Sequence, residues 1–115
     1  MTSSGIGSDW ERKVTAWLVG RGLPAFRLRG NEGPKDHGDI GGFGLWALDC
    51  KDQAKMSLGS WVAQAKREAI NSHKPLSAVI VKRRGKPTEE ALVIMDLATF
   101  ARLENYITQL REDSQ

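Results

Sequence analysis

The 115-residue sequence predicts a single domain of mixed α/β class, an α+β fold in which helices flank a mixed sheet. Three observations support this prediction. The chain has the usual size of one domain. Apolar residues recur at helical spacing in three segments, and alternating or continuous apolar runs of strand length separate those segments. The predicted order is helix, three strands, helix, two strands, helix (αβββαββα), with no internal repeat.

The first predicted helix follows a small, polar N-terminal segment, residues 1–7, that we expect to be flexible. Ser8 and Glu11 match a capping box, with Ser8 at the N-cap and Glu11 at N3. Gly20 and Gly22 end this helix, because glycine readily adopts the left-handed conformation that follows a helix.

A β-hairpin is predicted in the region that follows. Residues 25–29 alternate apolar and basic side chains and predict a strand, and residues 30–37 form a polar loop. The glycine-rich run 41–44 supplies the backbone freedom that a tight turn needs. The turn would fold Asp39 back towards Asp49, so that the two acids become neighbours across a ladder.

The second half of the chain predicts helix, strand, strand, helix. A helix with an apolar stripe spans about 58–72, and a nearly continuous apolar run at 76–81 indicates a buried strand. Another strand covers 91–95, and Asp96 caps the last helix. The predicted domain therefore spans residues 8–111, followed by a polar tail, residues 112–115.

Composition and charge restrict the class of protein. The net charge of +3 and the isoelectric point near 9.2 suit a polyanionic partner. One cysteine excludes an internal disulfide and favours a reducing, cytoplasmic setting. No apolar stretch resembles a signal peptide or approaches the length of a membrane span, so we expect no membrane association.

Asp39, Asp49 and Lys51 are the residues that point to chemistry. Strand side chains alternate between the two faces of a sheet, so Asp49 and Lys51 project from one face while Cys50 lies on the opposite, apolar face. Two carboxylates can hold a hard divalent cation through oxygen, and such a cation can assist cleavage of a phosphodiester. Together these residues suffice for a metal-dependent nuclease site.

Simpler interpretations remain open for these and nearby residues. Asp39 could be a turn residue, and Asp49 and Lys51 could lie on a solvated strand edge. Glu11 is explained equally well as a helix cap and as a metal ligand. A lone His37 in a polar loop is more often solvated than catalytic, and burial makes Cys50 a poor nucleophile.

These residues resemble the PD-(D/E)xK nuclease superfamily, which has a restriction-endonuclease-like core. The matching pieces are Gly38-Asp39, Asp49-Cys50-Lys51 and Gln53, with a Glu11-Arg12 pair on the first helix. The chain is most similar to small Holliday-junction resolvases of the archaeal type and their phage-encoded relatives, over roughly residues 8–95. It departs from the pattern at Gly38, where the family name has proline, and at Asp49, which replaces the more frequent glutamate.

The resemblance implies roles for individual residues. Asp39, Asp49 and the backbone carbonyl of Cys50 would bind Mg²⁺, with Mn²⁺ as a substitute, and Glu11 would complete the metal site. Lys51 would orient water or stabilise charge on the phosphate, and Gln53 would support the site.

Basic side chains near the acids are candidates for DNA binding, because a carboxylate site by itself repels the DNA backbone. They lie before the acids, just after them, and in one basic turn: Arg27, Arg29, Lys35, Lys55, Arg83, Arg84 and Lys86. A solvated hairpin tip explains the basic turn equally well.

The resemblance implies an Mg²⁺-dependent DNA endonuclease that leaves a 5′-phosphate, acting on four-way junctions in recombination, repair or phage genome processing. Cutting two symmetric strands implies a homodimer. One alternative is a nicking, restriction-like or repair nuclease that prefers duplex or flapped DNA. Another is a catalytically silent DNA-binding module on the same fold.

Overall fold

The computed structural model describes residues 4–28 and 38–114, with side chains from residue 9 onward. Within these ranges the chain forms three α-helices, a five-stranded sheet and one short 3₁₀ helix, Thr88–Glu90. The elements in chain order are α1 Ser4–Gly20, β1 Phe26–Arg27, β2 Ile40–Gly41, β3 Trp46–Lys51, α2 Leu58–Asn71, β4 Leu76–Val81, β5 Leu92–Ile94 and α3 Leu97–Asp113. The mixed α/β class and the order αβββαββα are thus confirmed.

The sheet has the spatial order β1-β2-β3-β4-β5, which is also the order along the chain. All neighbouring strands are antiparallel except β3 and β4, which run parallel with α2 as the connection between them. Strand β3 therefore lies in the middle of the sheet, with β2 on one side and β4 on the other.

Helices cover both faces of the central strands. On one face, Trp10 and Val14 of α1 pack against Leu48 of β3 and Ile80 of β4. The indole Nε1 of Trp10 also donates a hydrogen bond of 3.1 Å to the backbone carbonyl of Ile80. The helix is therefore fixed to the sheet by a polar contact as well as by apolar packing.

The opposite face of the sheet is covered by α2. Trp61 and Ala65 of this helix pack against Val79 and Val81 of β4. Every residue of β4 is buried as a result. This arrangement explains the continuous apolar run from which the strand was predicted, since a strand covered on both faces has no need for alternation.

Helix α1 begins at Ser4, so the predicted capping box at Ser8 is wrong. Ser8 lies inside the helix, and four residues of the segment expected to be flexible are helical. No proline interrupts residues 4–7, and extending an existing helix gains one backbone hydrogen bond for each residue that it fixes. Glu11 is thereby placed in the second turn of the helix or beyond, where it cannot act as N3.

Helix α3 begins as predicted but extends further. Asp96 is its N-cap, and the Asp96 carboxylate accepts a hydrogen bond of 2.9 Å from the backbone N–H of Thr99. The helix continues to Asp113, into the segment expected to be a tail. None of the described helices has the length and apolar character needed to cross a membrane.

Candidate active site

Asp39 immediately precedes β2 and lies directly against β3. Its backbone N–H donates to the carbonyl of Leu48 at 2.8 Å, and its Oδ2 accepts a hydrogen bond of 2.8 Å from the backbone N–H of Cys50. Because β2 begins only at Ile40, the carboxylate supplies the acceptor that a longer strand would have supplied from its backbone. The Asp39 side chain therefore lies beside the peptide that joins Asp49 to Cys50.

Gly38 permits this approach. Its φ of +102° is rarely adopted by residues with a side chain, and a Cβ at this position would lie 3.0 Å from the carbonyl oxygen of Leu48. Proline, which the family name has at this place, fixes φ near −65°. The departure noted in the sequence is thus required by the backbone of this chain.

Asp49 and Lys51 lie on the face of β3 that α2 covers, as the alternation predicted. Asp49 is only 2 % exposed, and Lys51 is partly buried. The solvated-edge interpretation of these residues is therefore wrong, because β3 is a central strand with a helix over this face. The Nζ of Lys51 donates a hydrogen bond of 3.2 Å to Oε1 of Gln64 in α2.

Glu11 approaches the same region from α1. Its carboxylate forms an ion pair of 3.2 Å with the guanidinium of Arg27 in β1. Burial raises the pKa of the Cys50 thiol, and the negative charges of Asp39, Glu11 and Asp49 raise it further, while Arg27 opposes them. Burial and these three negative charges together make Cys50 unreactive as a nucleophile.

The donors available to a cation are oxygens. In strands, the N–H and C=O of one residue point to the same side, and the N–H of Cys50 faces Asp39, so its carbonyl is directed away from β4 as well. Asp39, Asp49 and this carbonyl match the preference of Mg²⁺ for hard oxygen ligands. Among the residues with described side chains, no group of three acidic, histidine or cysteine side chains is close enough to hold a metal ion. A cation at this place would therefore depend on two carboxylates and one backbone carbonyl.

The basic turn between β4 and β5 is tied to the end of β3. The Arg84 guanidinium lies 3.1 Å from Oδ1 of Asp52 and donates to the Asp52 backbone carbonyl at 3.3 Å, and Lys82 Nζ lies 3.8 Å from Oδ2. Asp52 immediately follows Lys51, so the turn and the predicted site are adjacent along the strand.

A cavity of about 430 Å³ opens at this turn. Gln53 lies beyond the end of β3, is exposed, and lines this cavity together with the basic side chains. The surroundings of the Gln53 side chain are thus the basic turn between β4 and β5. The members of the turn that line the cavity are Lys82, Arg83, Arg84 and Lys86.

The remaining DNA-binding candidates are less defined. Lys55 is exposed in the connection between β3 and α2. Arg29, Lys35 and His37, together with the polar loop that contains them, lie outside the described residues.

Sequence reasoning missed three polar residues of this region: Asp52, Gln64 and Glu68. Gln64 and Glu68 are four residues apart and follow Trp61 at spacings of three and seven, which places all three on one side of α2. This spacing was a usable signal, because the side that carries Trp61 was already predicted to face the core.

No protein-family model matches the chain, and neither a curated protein nor a solved structure matches it significantly.

Proposed function

We propose that the protein is a metal-dependent DNA endonuclease, with four-way junctions as its preferred substrate. One observation carries the proposal. The Asp39 carboxylate accepts a hydrogen bond from the N–H of Cys50, the residue between Asp49 and Lys51, so Asp39 is held against the stretch of β3 that carries the other two residues. The resemblance to the PD-(D/E)xK nucleases and the preference for junctions are part of this proposal.

Each group would have a distinct role. Asp39, Asp49 and the carbonyl of Cys50 would bind Mg²⁺, with Mn²⁺ as a substitute; when bound, the cation would make water a better nucleophile and stabilise charge on the phosphate. Lys51 would place its positive charge against the phosphate as negative charge develops on it. Glu11, held by Arg27, would support the ligands from α1.

Binding of DNA beside these acids requires cations. The basic turn, Lys82–Lys86, supplies them at the end of β3, next to Lys51, and Gln53 adds a neutral hydrogen-bonding group to the same cavity. The positive net charge of the whole chain supports the same partner. We assign the turn to the phosphate backbone of the substrate, because half or more of protein–DNA hydrogen bonds, many of them from Lys and Arg, go to phosphate oxygens and sugar.

A junction has two opposed strands to cut, and the described residues offer one such site, so we propose a two-fold homodimer. Helix α3 supports this pairing, because the apolar side chains Leu97, Phe100, Ile107 and Leu110 are all exposed. Two copies of this helix packed along their length of about 25 Å would bury on the order of 1,000 Å² in total, the lower limit for a specific interface.

The dimer can be tested independently of cleavage. In analytical ultracentrifugation, the Ile107→Glu variant should sediment as a monomer. The Gln109→Glu variant, changed on the other side of α3, should sediment as a dimer like the wild type. A monomeric wild-type protein at micromolar concentration would exclude this interface.

The cleavage experiment offers the purified protein a four-way junction, a flap, a linear duplex and a single strand, each with Mg²⁺ and with chelator. Asp39→Asn and Asp49→Asn should abolish cutting while junction binding persists, because each removes a proposed ligand and leaves the cationic turn intact. Lys51→Ala should also cut poorly. Glu89→Gln, which removes an exposed acid from the 3₁₀ helix, is the matched control and should cut at the wild-type rate.

The outcomes separate the alternatives. Equal or better cutting of linear duplex or flapped DNA would assign a nicking, restriction-like or repair nuclease. Binding without any metal-dependent cutting would assign a silent DNA-binding module. If either aspartate variant cuts at the wild-type rate, the site is wrongly placed.

A further inference from the structure

A chain of three polar side chains, two partly buried and one fully buried, crosses the interface between β3 and α2. Lys51 Nζ donates to Gln64 Oε1 at 3.2 Å, and Gln64 Nε2 donates to Glu68 Oε2 at 3.1 Å. Glu68 is only 1 % exposed. We propose that Gln64 and Glu68 are positioning residues that fix the ammonium group of Lys51; the catalytic part of this proposal rests on the proposed nuclease function.

The direction of the hydrogen bonds follows from the chemistry of the two ends. An ammonium group only donates, and an ionised carboxylate only accepts. The amide of Gln64 has one end of each kind, so only one orientation satisfies both neighbours: its oxygen towards Lys51 and its NH₂ towards Glu68. The carboxyl group at position 68 thus reinforces the orientation of the amide that Lys51 requires.

Apolar packing alone does not account for a carboxyl group at position 68. Its neighbours on α2, Ala65 and Ala69, are small apolar residues that fill this face of the sheet. An apolar side chain at position 68 would complete the same surface without the cost of removing a carboxylate from water. We therefore connect the carboxyl group at this position with the polar chain that ends on Lys51.

Fixing Lys51 matters because of its length. A lysine side chain has four flexible carbons and a point charge at its end, so many positions of the ammonium group compete. A group that stabilises developing charge acts best when it is already in place before the reaction. The hydrogen bond to Gln64 removes most of the alternative positions of the ammonium group.

Two variants test the proposal. Gln64→Met keeps the length of the side chain and removes both hydrogen bonds. Glu68→Gln keeps the size and an acceptor oxygen, but its own NH₂ allows the Gln64 amide to reverse. Gln109→Met is the matched control, because Gln109 donates at 3.0 Å to Asp113 with the same spacing of four residues on an exposed helix face.

The first readout needs no DNA. In ¹⁵N-lysine-labelled protein, Lys51→Arg identifies the Lys51 ammonium signal, which should exchange its protons slowly with water in the wild type. Gln64→Met should broaden or abolish this signal, Glu68→Gln should weaken it, and the control should leave it unchanged. An unchanged signal in Gln64→Met overturns the proposal.

The second readout is the rate of DNA cleavage. We expect roughly a tenfold loss of kcat in Gln64→Met, the size of one hydrogen bond to a charged group, with KM unchanged. Lost stability with an unchanged kcat would assign Gln64 and Glu68 to structure alone and overturn the proposal. If the wild type cuts no DNA, the nuclease function fails; the ammonium signal still decides whether these residues fix Lys51.

Discussion

Replacing Gly38 by proline introduces the residue that the PD-(D/E)xK superfamily, which the sequence resembles, has at this position of its motif. On the basis of the motif alone, Gly38→Pro should be harmless. The structure leads to the opposite expectation, because φ at position 38 is +102° and proline is confined to φ near −65°. The backbone before Asp39 would have to rotate, and the contacts that place Asp39 against β3 would be lost.

The expected loss follows from those contacts. The rotation breaks the bond from the Asp39 N–H to the Leu48 carbonyl and the bond from the Cys50 N–H to the Asp39 carboxylate. Each buried group left without its partner costs about 1–3 kcal/mol. Gly38→Pro should therefore lower the free energy of unfolding by more than about 3 kcal/mol, a large share of the roughly 5–15 kcal/mol of a typical domain.

Urea unfolding followed by circular dichroism measures this loss, and alanine variants divide it into its parts. Gly38→Ala should cost about 2 kcal/mol, from the strained φ and the contact of 3.0 Å with Leu48. Gly85→Ala has a positive φ of +79° but open space, so it measures the strain alone. Gly44→Ala has neither and should change stability by less than about 0.5 kcal/mol. A Gly38→Pro protein as stable as the wild type would refute the reasoning about this turn.

Three further predictions concern stability, each measured by urea unfolding. The hydrogen bonds from Lys66 and then Thr99 hold the pKa of the Asp96 carboxyl below its ordinary value near 3.8. The stability that the negative charge provides is therefore present above that pH and is lost as the pH falls below it. Asp96→Asn should cost at most about 1 kcal/mol at neutral pH, and this cost should vanish in acid. Trp10→Phe should cost about 2 kcal/mol by removing a buried indole donor, and equal stability would exclude a role for that bond. Glu11→Gln should cost less than about 1 kcal/mol, the worth of its ion pair with Arg27, because it caps no helix; a larger loss would restore a structural role.

Much of the fold could be predicted because its signals are local. The bounds of β4 were predicted to the residue, since an apolar run between Pro75 and a basic turn is visible in the sequence. Asp96 was identified as a cap from its place before an amphipathic segment. The start of α1 was wrong because a capping box describes a possible helix end and does not prevent a helix from continuing past it.

The candidate site was predictable only in part. The hairpin brought Asp39 to Asp49, and strand alternation placed Lys51 with Asp49, because both arguments use short stretches of chain. The contact of Lys51 with Gln64 joins residues thirteen apart on different elements, so it depends on how α2 crosses the sheet. The position of a helix over a sheet is a property of the whole fold, which local patterns do not contain.

The ion pairs of Asp52 have a consequence for the response of DNA binding to ionic strength. Each phosphate that a protein neutralises adds about −0.9 to the slope of log affinity against log salt. In the proposed complex, Lys82 and Arg84 would meet DNA already paired with Asp52, so together they would offer one net positive charge rather than two. The slope should therefore be shallower than the number of cations in the turn implies, and Asp52→Asn should make it steeper.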